Sequence, residues 1–347
     1  WKHLMNNYEN NRYYKQTLLP QIGADGQEKL GNSTVVIAGC GALGTSLANT
    51  MVRSGVGNVV IIDRDYIDYD NLPRQILFDE EDIRKGLPKS VAASEKLRLV
   101  NSSVSVIPVV ADLTSSNIEE LFKGADLILD GTDNFETRFL INEASDKMKI
   151  PWVYAGVVST YGMIYTTLPG ETPCLNCFIN TIPAPGSFPT CATTGVLNTA
   201  VTMVTSIQAT EGLKILMDRK SAISGKLIYV DVWHGISKDF IIKKGDAACR
   251  ICDEHKYELL KTEKGVKAVS LCGHNSVQVT PSSALGVTFE DLSARLSSSG
   301  EVKFNNYMMK FIIPQYEFTI FPDGRTIIKG ATEEAEGKSL YAKYIGC

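Results

Sequence analysis

Residues 39–44 read Gly-Cys-Gly-Ala-Leu-Gly, set between the apolar run Val35–Ala38 and a stretch patterned as helix, and the next apolar run closes on Asp63. Gly39, Gly41 and Gly44 let the backbone take angles a side chain forbids and come close to phosphate, while the helix opening at Ala42 offers free N–H groups and a positive dipole end. Asp63 falls where a carboxylate accepts from ribose hydroxyls. On these residues alone a nicotinamide-dependent oxidoreductase fits as well as any other nucleotide enzyme.

The next loop narrows the chemistry. It carries Asp65, Asn71, Arg74 and Gln75, with Lys89 following Pro88. Two cations and two amides near a phosphate cradle suit a triphosphate, whose charge must be neutralised while one phosphorus is attacked. A dehydrogenase has no use for that set. Taken singly, Arg74 and Lys89 read equally well as solvated surface charges. A further strand pattern, Asp126–Asp130, runs into Gly131-Thr132-Asp133-Asn134 and then a helical pattern from Glu136. Ligands of a parallel sheet collect beyond the carboxyl ends of its strands, so the glycine turn, Asp63 and Asp133 are expected to face one crevice, with Asn134 at its edge. Asp133 reads either as a magnesium ligand beside the phosphates or as the cap of the helix that follows.

The cysteines form a second constellation. Cys174 and Cys177 make one Cys-x-x-Cys, and Cys249 and Cys252 make another after 71 intervening residues. Two such pairs match a tetrahedral, closed, structural zinc site; redox pairs or disulfides are the alternative. Cys191 belongs to neither pair. It lies in Ile182–Gly195, a stretch rich in proline, glycine and small polar residues, ahead of a helix-like run from Leu197. A thiol on such a loop can act as a nucleophile, or sit buried and inert.

Together these residues resemble the ThiF, MoeB and HesA adenylyltransferases, relatives of the ubiquitin-activating enzymes. The resemblance runs from residue 12 to about 255 and rests on Arg12-Tyr13-Tyr14-Lys15-Gln16, Gly39–Gly44, Asp63, Asn71-Leu72-Pro73-Arg74-Gln75, Lys89, Thr132-Asp133-Asn134, the four paired cysteines and Cys191. It implies that Asp63 holds ribose, that Arg74 and Lys89 hold phosphates, that Asp133 holds magnesium, and that Cys191 takes over the activated carrier protein. The family's opening segment has a second arginine that reaches across a dimer to the partner's ATP. Here Lys15 stands in its place, keeping the charge but not the bidentate fork.

The reaction so implied is adenylyl transfer. The C-terminal glycine carboxylate of a ubiquitin-like sulfur carrier ending in Gly-Gly attacks the α-phosphate of ATP, and pyrophosphate leaves with magnesium. The product is primed for sulfur from a donor such as a cysteine desulfurase. A homodimer is implied, as is thiamin thiazole biosynthesis, because the tail and its Leu271–Asn275 stretch are similar to those of the longer bacterial ThiF proteins. A molybdopterin-type activator, a tRNA-modifying relative and a non-catalytic carrier-binding subunit remain alternatives.

The positioning elements follow from the patterning. The 347 residues, 44% of them hydrophobic, suit two domains, and a formal charge of −4 leaves no general basic footprint for nucleic acid. No apolar run reaches the length of a membrane helix, and the polar start does not read as a secretory signal, which suits a cytoplasmic protein; Trp1–Leu4, ahead of Met5, read as an addition to the natural start. The fold class is α/β: a Rossmann-like mononucleotide-binding domain over 1–255 with a mainly parallel sheet, and antiparallel additions after the Cys174 region. A linker at 256–265 leads to a small α+β domain at 266–347. In that tail Val277–Thr280, Tyr307–Ile313, Tyr316–Phe321 and Arg325–Lys329 read as strands, Phe289–Leu296 and Glu333–Tyr344 as helices, and Pro322-Asp323-Gly324 as a hairpin turn. Cys272 and Cys347 read as incidental.

Overall fold

The computed structural model describes residues 12–183, 191–245, 247–261, 267–271, 275–281 and 285–346, with backbone only at 191–192 and 267–271. The chain divides into two compact units, Trp1–Lys85 with Lys89–Thr262, and Gly86–Pro88 with Glu263–Cys347.

The larger unit is built on an eight-stranded sheet in the order β3-β2-β1-β4-β5-β6-β7-β8. Its strands are β1 Thr34–Ala38, β2 Asn58–Asp63, β3 Ser105–Val110, β4 Leu127–Asp130, β5 Trp152–Val158, β6 Tyr161–Thr167, β7 Leu227–Asp231 and β8 Ile236–Phe240. The five strands from β3 to β5 are parallel. Strand order reverses between β1 and β4, opening a crevice beyond their carboxyl ends. The central strands read as continuous apolar runs because helices cover both faces: all of Val35–Ala38 and Leu127–Asp130 is buried. The antiparallel part begins earlier than the sequence suggests, since β6 returns along β5 ahead of Cys174, and β7 and β8 extend it.

Five helices of this unit matter to the site: α1 Tyr14–Thr17, α2 Ala42–Ser54, α3 Lys89–Val100, α4 Phe135–Met148 and α5 Asn198–Leu216. α2 ends at Gly55, whose φ of +80° is the left-handed cap that glycine adopts without strain. α4 opens on Asn134, whose side chain accepts from Thr137 N at 2.9 Å, so the cap falls to Asn134 and leaves the Asp133 carboxylate free of that duty. None of the described helices is long and apolar enough to cross a membrane.

The smaller unit is a six-stranded antiparallel sheet with, among the described residues, two helices, α6 Phe289–Leu296 and α7 Glu334–Tyr344. Its strands are β9 Lys267–Leu271, β10 Ser276–Thr280, β11 Glu301–Phe304, β12 Met309–Ile313, β13 Tyr316–Ile320 and β14 Thr326–Lys329. β9 and β11 were not legible as strands. β11 is an edge strand without a buried residue, so no apolar alternation marks it. Val277, Val279, Phe311, Phe318, Ile320 and Ile328 alternate inward against Leu292, Leu296 and Tyr341.

Candidate nucleotide crevice and cysteine cluster

Two loops meet backbone to backbone at the switch point. Gly39 has φ +94°, and a Cβ there would lie 2.6 Å from the Gly131 carbonyl oxygen. A Cβ on Gly131 would lie 2.5 Å from the Gly39 oxygen, and one on Gly44 would overlap that same oxygen. These glycines are therefore set by close packing of the two loops. Gly41 differs: the nearest atom to a Cβ there is Gln75 Nε2 at 3.9 Å, so the space beside it is open. Gly41 is the N-cap of α2 and no side chain caps that helix, which leaves its first N–H groups facing the opening.

Asp63, at the end of β2, closes the turn from the side. One carboxylate oxygen accepts from Cys40 N and the other from Asp65 N at 2.7 Å. Burial pushes the Asp63 carboxyl up from its ordinary pKa, and the Lys89 charge and the two backbone donors oppose that rise. Lys89, the first residue of α3, is buried, with its backbone N donating to Asp65 O at 2.9 Å and its Nζ 3.6 Å from Asp65 Oδ2. Burial alone would lower the ammonium pKa; Asp65, Asp63 and Asp133 outweigh it and hold the lysine above its usual value. This is a sequestered charge among the carboxylates of the two loops, not a solvated one. Arg64 adds a second cation, 3.2 Å from Asp112 and within the field of Asp133.

Around them the loop residues divide in role. Asn71 is buried and shapes its own loop, accepting from Asp68 N at 3.1 Å and donating to Asp70 at 2.8 Å. Arg74 donates to the Asp70 carbonyl and remains half-exposed. Gln75 is buried beside Gly41, and its Oε1 has no hydrogen-bond partner. An orphaned acceptor next to an open cradle, free helix N–H groups and a buried ammonium fit a polyphosphate nucleotide with hydroxyls to donate.

Asp133 is exposed at the tip of the second loop, with Asn134 Nδ2 at 3.4 Å. Beneath it lies a network that sequence reasoning missed. Asp130 Oδ1 accepts from both the backbone N and the hydroxyl of Thr132 at 2.9 and 2.7 Å, and its Oδ2 pairs with Arg138 Nε at 3.2 Å. Arg138 Nη2 also donates to the carbonyls of Thr132 and Ala155, at 2.7 and 3.0 Å, between the rings of Phe135 and Tyr154. Gln208 of α5 ties the carbonyls of Asp130 and Val153 together.

The cysteine expectations can be placed as well. The four sulfurs of Cys174, Cys177, Cys249 and Cys252 lie within 4.8 Å of one another, three pairs standing at 4.0, 3.7 and 3.6 Å. These separations exceed a disulfide's length of about 2 Å and match the edge of roughly 3.8 Å expected of a tetrahedron with Zn–S bonds near 2.3 Å. Cys191 begins a short helix, Cys191–Thr194, which Ser159 N binds through Gly195 O at 2.9 Å, placing its backbone at the carboxyl end of β5. Its side chain, most of the 183–194 loop, Cys272 and Cys347 lie outside the described residues.

Lys15 is not at this crevice. Tyr13 packs on Gly55 and accepts from Asn101 Nδ2 at 2.8 Å, while Gln16 Nε2 donates to Ser54 O at 2.9 Å. These contacts fix α1 at the carboxyl end of α2, whereas the glycine turn lies at the amino end. Thirteen residues of helix put about 20 Å between them.

Fold and crevice together define a Rossmann-like nucleotide-binding α/β protein. The chain belongs to the ThiF family, whose model matches residues 13–251. The sulfur carrier protein ThiS adenylyltransferase of Bacillus subtilis is 40% identical over 338 residues, which cover 96% of this chain and 99% of that protein. The SAMP-activating enzyme E1 of Haloferax volcanii is 35% identical over 243 residues, covering 70% of this chain and 88% of that one. Among solved structures, E. coli MccB with ATP shares the fold at a TM-score of 0.61 and 24% identity, over 71% of this chain and 75% of that chain.

Proposed function

We propose that this protein uses ATP to adenylylate the C-terminal glycine carboxylate of a ubiquitin-like sulfur carrier of the ThiS class, with release of pyrophosphate. The observation that carries this is the buried Lys89 ammonium at the rim of an open glycine cradle. Hydride transfer builds no charge on the phosphates, whereas attack on a phosphate builds charge that such a cation neutralises.

The geometry supports the following roles. Gly41 and the first N–H groups of α2 receive phosphate oxygens, the Gln75 oxygen takes a donor from the nucleotide, and Asp63 takes the ribose hydroxyls on its remaining lone pairs. Lys89 and Arg74 balance phosphate charge. Asp133 holds magnesium, which when bound supplies charge neutralisation for the leaving pyrophosphate. The protein's share is positioning and electrostatics, because phosphorus chemistry of this kind needs little covalent help.

Lys15 acts on the crevice of a second copy, for it cannot reach its own. The four cysteines hold one structural zinc. Cys191, at the crevice end of the sheet, acts after adenylation, when sulfur is transferred.

The test is ATP–pyrophosphate exchange against a panel of small carriers ending in Gly-Gly. Exchange that depends on one carrier supports the reading; no exchange with any of them, together with NADH binding seen by fluorescence, overturns it.

A further inference from the structure

Along one face of α4, polar side chains recur every four residues, and each grips a different element. Asn134 caps the helix beside Asp133. Arg138 holds Asp130 and the Thr132 carbonyl, the two supports of the Asp133 loop. One turn on, about 6 Å along the axis, comes Asn142, 1% exposed. Its amide is engaged at both ends: Oδ1 accepts from Leu175 N at 3.0 Å, and Nδ2 donates to Asn176 Oδ1 at 3.1 Å and to Cys174 Sγ at 3.7 Å.

The last turns of the helix hold the other cysteine pair's continuation. Asp146 accepts from Tyr257 Oη at 2.6 Å and stands 2.9 Å from His255 Nδ1, while Glu143 accepts from the backbone N of Glu258 and Leu260 at 3.2 and 3.1 Å. A single helix thus joins the nucleotide loop at its start to both halves of the cysteine cluster further on.

We propose that Asn142 is the positioning residue of the metal site, and that α4 carries the state of the cluster to the nucleotide crevice. The inference rests on the reading of the cluster as a zinc site and the crevice as an ATP site. Four thiolates around a divalent ion leave two negative charges in excess; an N–H donor directed at Cys174 Sγ relieves one ligand and fixes the direction of its lone pairs. Because the same amide clasps Leu175 and Asn176, closing the cluster draws that turn onto α4. The helix then holds Arg138, and through it the Asp133 loop, in one arrangement.

The experiment compares Asn142→Asp and Asn142→Ala with the unaltered full-length protein. The aspartate keeps an oxygen for Leu175 N but loses the N–H donor and sets a negative charge beside Cys174. Zinc affinity, read by competition with a chromophoric chelator, is expected to fall about 10- to 100-fold, and the thiolate-to-cobalt absorption band of cobalt-substituted protein to shift. Binding of a fluorescent ATP analogue with magnesium should be at least about fivefold weaker in the chelator-stripped unaltered protein than in its zinc-loaded form. Zinc saturation of Asn142→Asp should restore that binding.

Zinc affinities of both variants within twofold of the unaltered protein overturn the positioning role. Equal nucleotide affinity in stripped and loaded unaltered protein overturns the coupling, and needs no variant to fold. Loaded protein that binds no ATP at all sinks the adenylation reading instead, and the metal affinities alone then decide the role of Asn142.

Discussion

Arg138 Nε stands 3.2 Å from Asp130 Oδ2, and both side chains are buried, at 8% and 0% exposure. Removing one partner of such a pair strands the other charge in a dry site and costs about 3–5 kcal/mol. Arg138→Ala is therefore expected to lower unfolding free energy by that amount in urea titration. Arg138→Lys, which keeps the charge but cannot span Asp130, Thr132 O and Ala155 O together, should fold and yet lose most pyrophosphate exchange. Full exchange in Arg138→Lys would show that the Asp133 loop does not depend on the fork.

Gly41 and Gly44 sit three residues apart and should respond in opposite ways. A methyl at Gly44 overlaps the Gly39 carbonyl, so Gly44→Ala should lower the melting temperature sharply. Gly41→Ala meets open space, its nearest neighbour 3.9 Å away, and should leave the melting temperature unchanged while weakening ATP binding. Unaltered ATP affinity in Gly41→Ala would remove the cradle from the nucleotide site.

Asp133→Ala should abolish pyrophosphate exchange, whereas Cys191→Ser should leave it largely intact and impair only the later sulfur transfer. The motive is placement: an exposed carboxylate at the tip of the β4 loop against a short helix tied to the end of β5. Loss of exchange in Cys191→Ser would place that thiol in the first chemical step.

Zinc should be present at about one per chain, and Cys249→Ser should lose it along with thermal stability. The metal-free cluster also fixes a proton count. The Cys177 hydrogen bond and burial hold Cys174 well above the ordinary thiol pKa, and burial pushes Cys252 up to about 11. Both are neutral at pH 7, yet the metal-bound form needs thiolates, so binding must expel at least about two protons. The stability zinc confers is thus lost as pH falls. Calorimetry in buffers of different ionisation heat reads the count, and zinc uptake without proton release would contradict the ligand set.

Lys15→Ala should slow adenylation by on the order of 10³-fold, the scale on which a cation at a transferring phosphate acts, and Lys15→Arg should keep or raise the rate. Mixing Lys15→Ala with Asp133→Ala chains gives half hybrid dimers, each with one complete site of two, hence about a quarter of full activity. Hybrids that form and show no recovery would reject action across the dimer.

The glycine turn, Asp63, the Asp133 loop and the two cysteine pairs could be read from sequence because each is a local signal: a backbone need, a strand end, a ligand spacing. Lys89 could not be separated from a surface lysine until α3 was seen to bury it against Asp65. Asp130 and Arg138 were invisible as a pair, since one ends an apolar strand and the other lies inside a helical pattern, and only the turn between them brings them together. Gln208 supports Asp130 from 78 residues away, and no periodicity signals such a contact. Asn134 carries a duty that the sequence did not mark: its Oδ1 caps α4, accepting from Thr137 N.

The cysteine cluster joins positions 75 residues apart, with β7, β8, α5 and the Cys191 helix strung between them. A metal-closed ring of that kind survives being cut. With a metal bound, a protease that severs any bond between Cys177 and Cys249 would leave two fragments clasped by four metal–sulfur bonds and by the hydrogen bonds of α4, so the nicked protein should elute as one species in size exclusion. Chelation opens the metal clasp; where the cut precedes α5, the β6–β7 pairing and the Gln208 bonds to the Asp130 and Val153 carbonyls still join the halves, so the nicked protein should melt at a lower temperature without separating. A metal bound there would be a rivet across the chain, and the integrity of the polypeptide and the integrity of the fold would become two different properties.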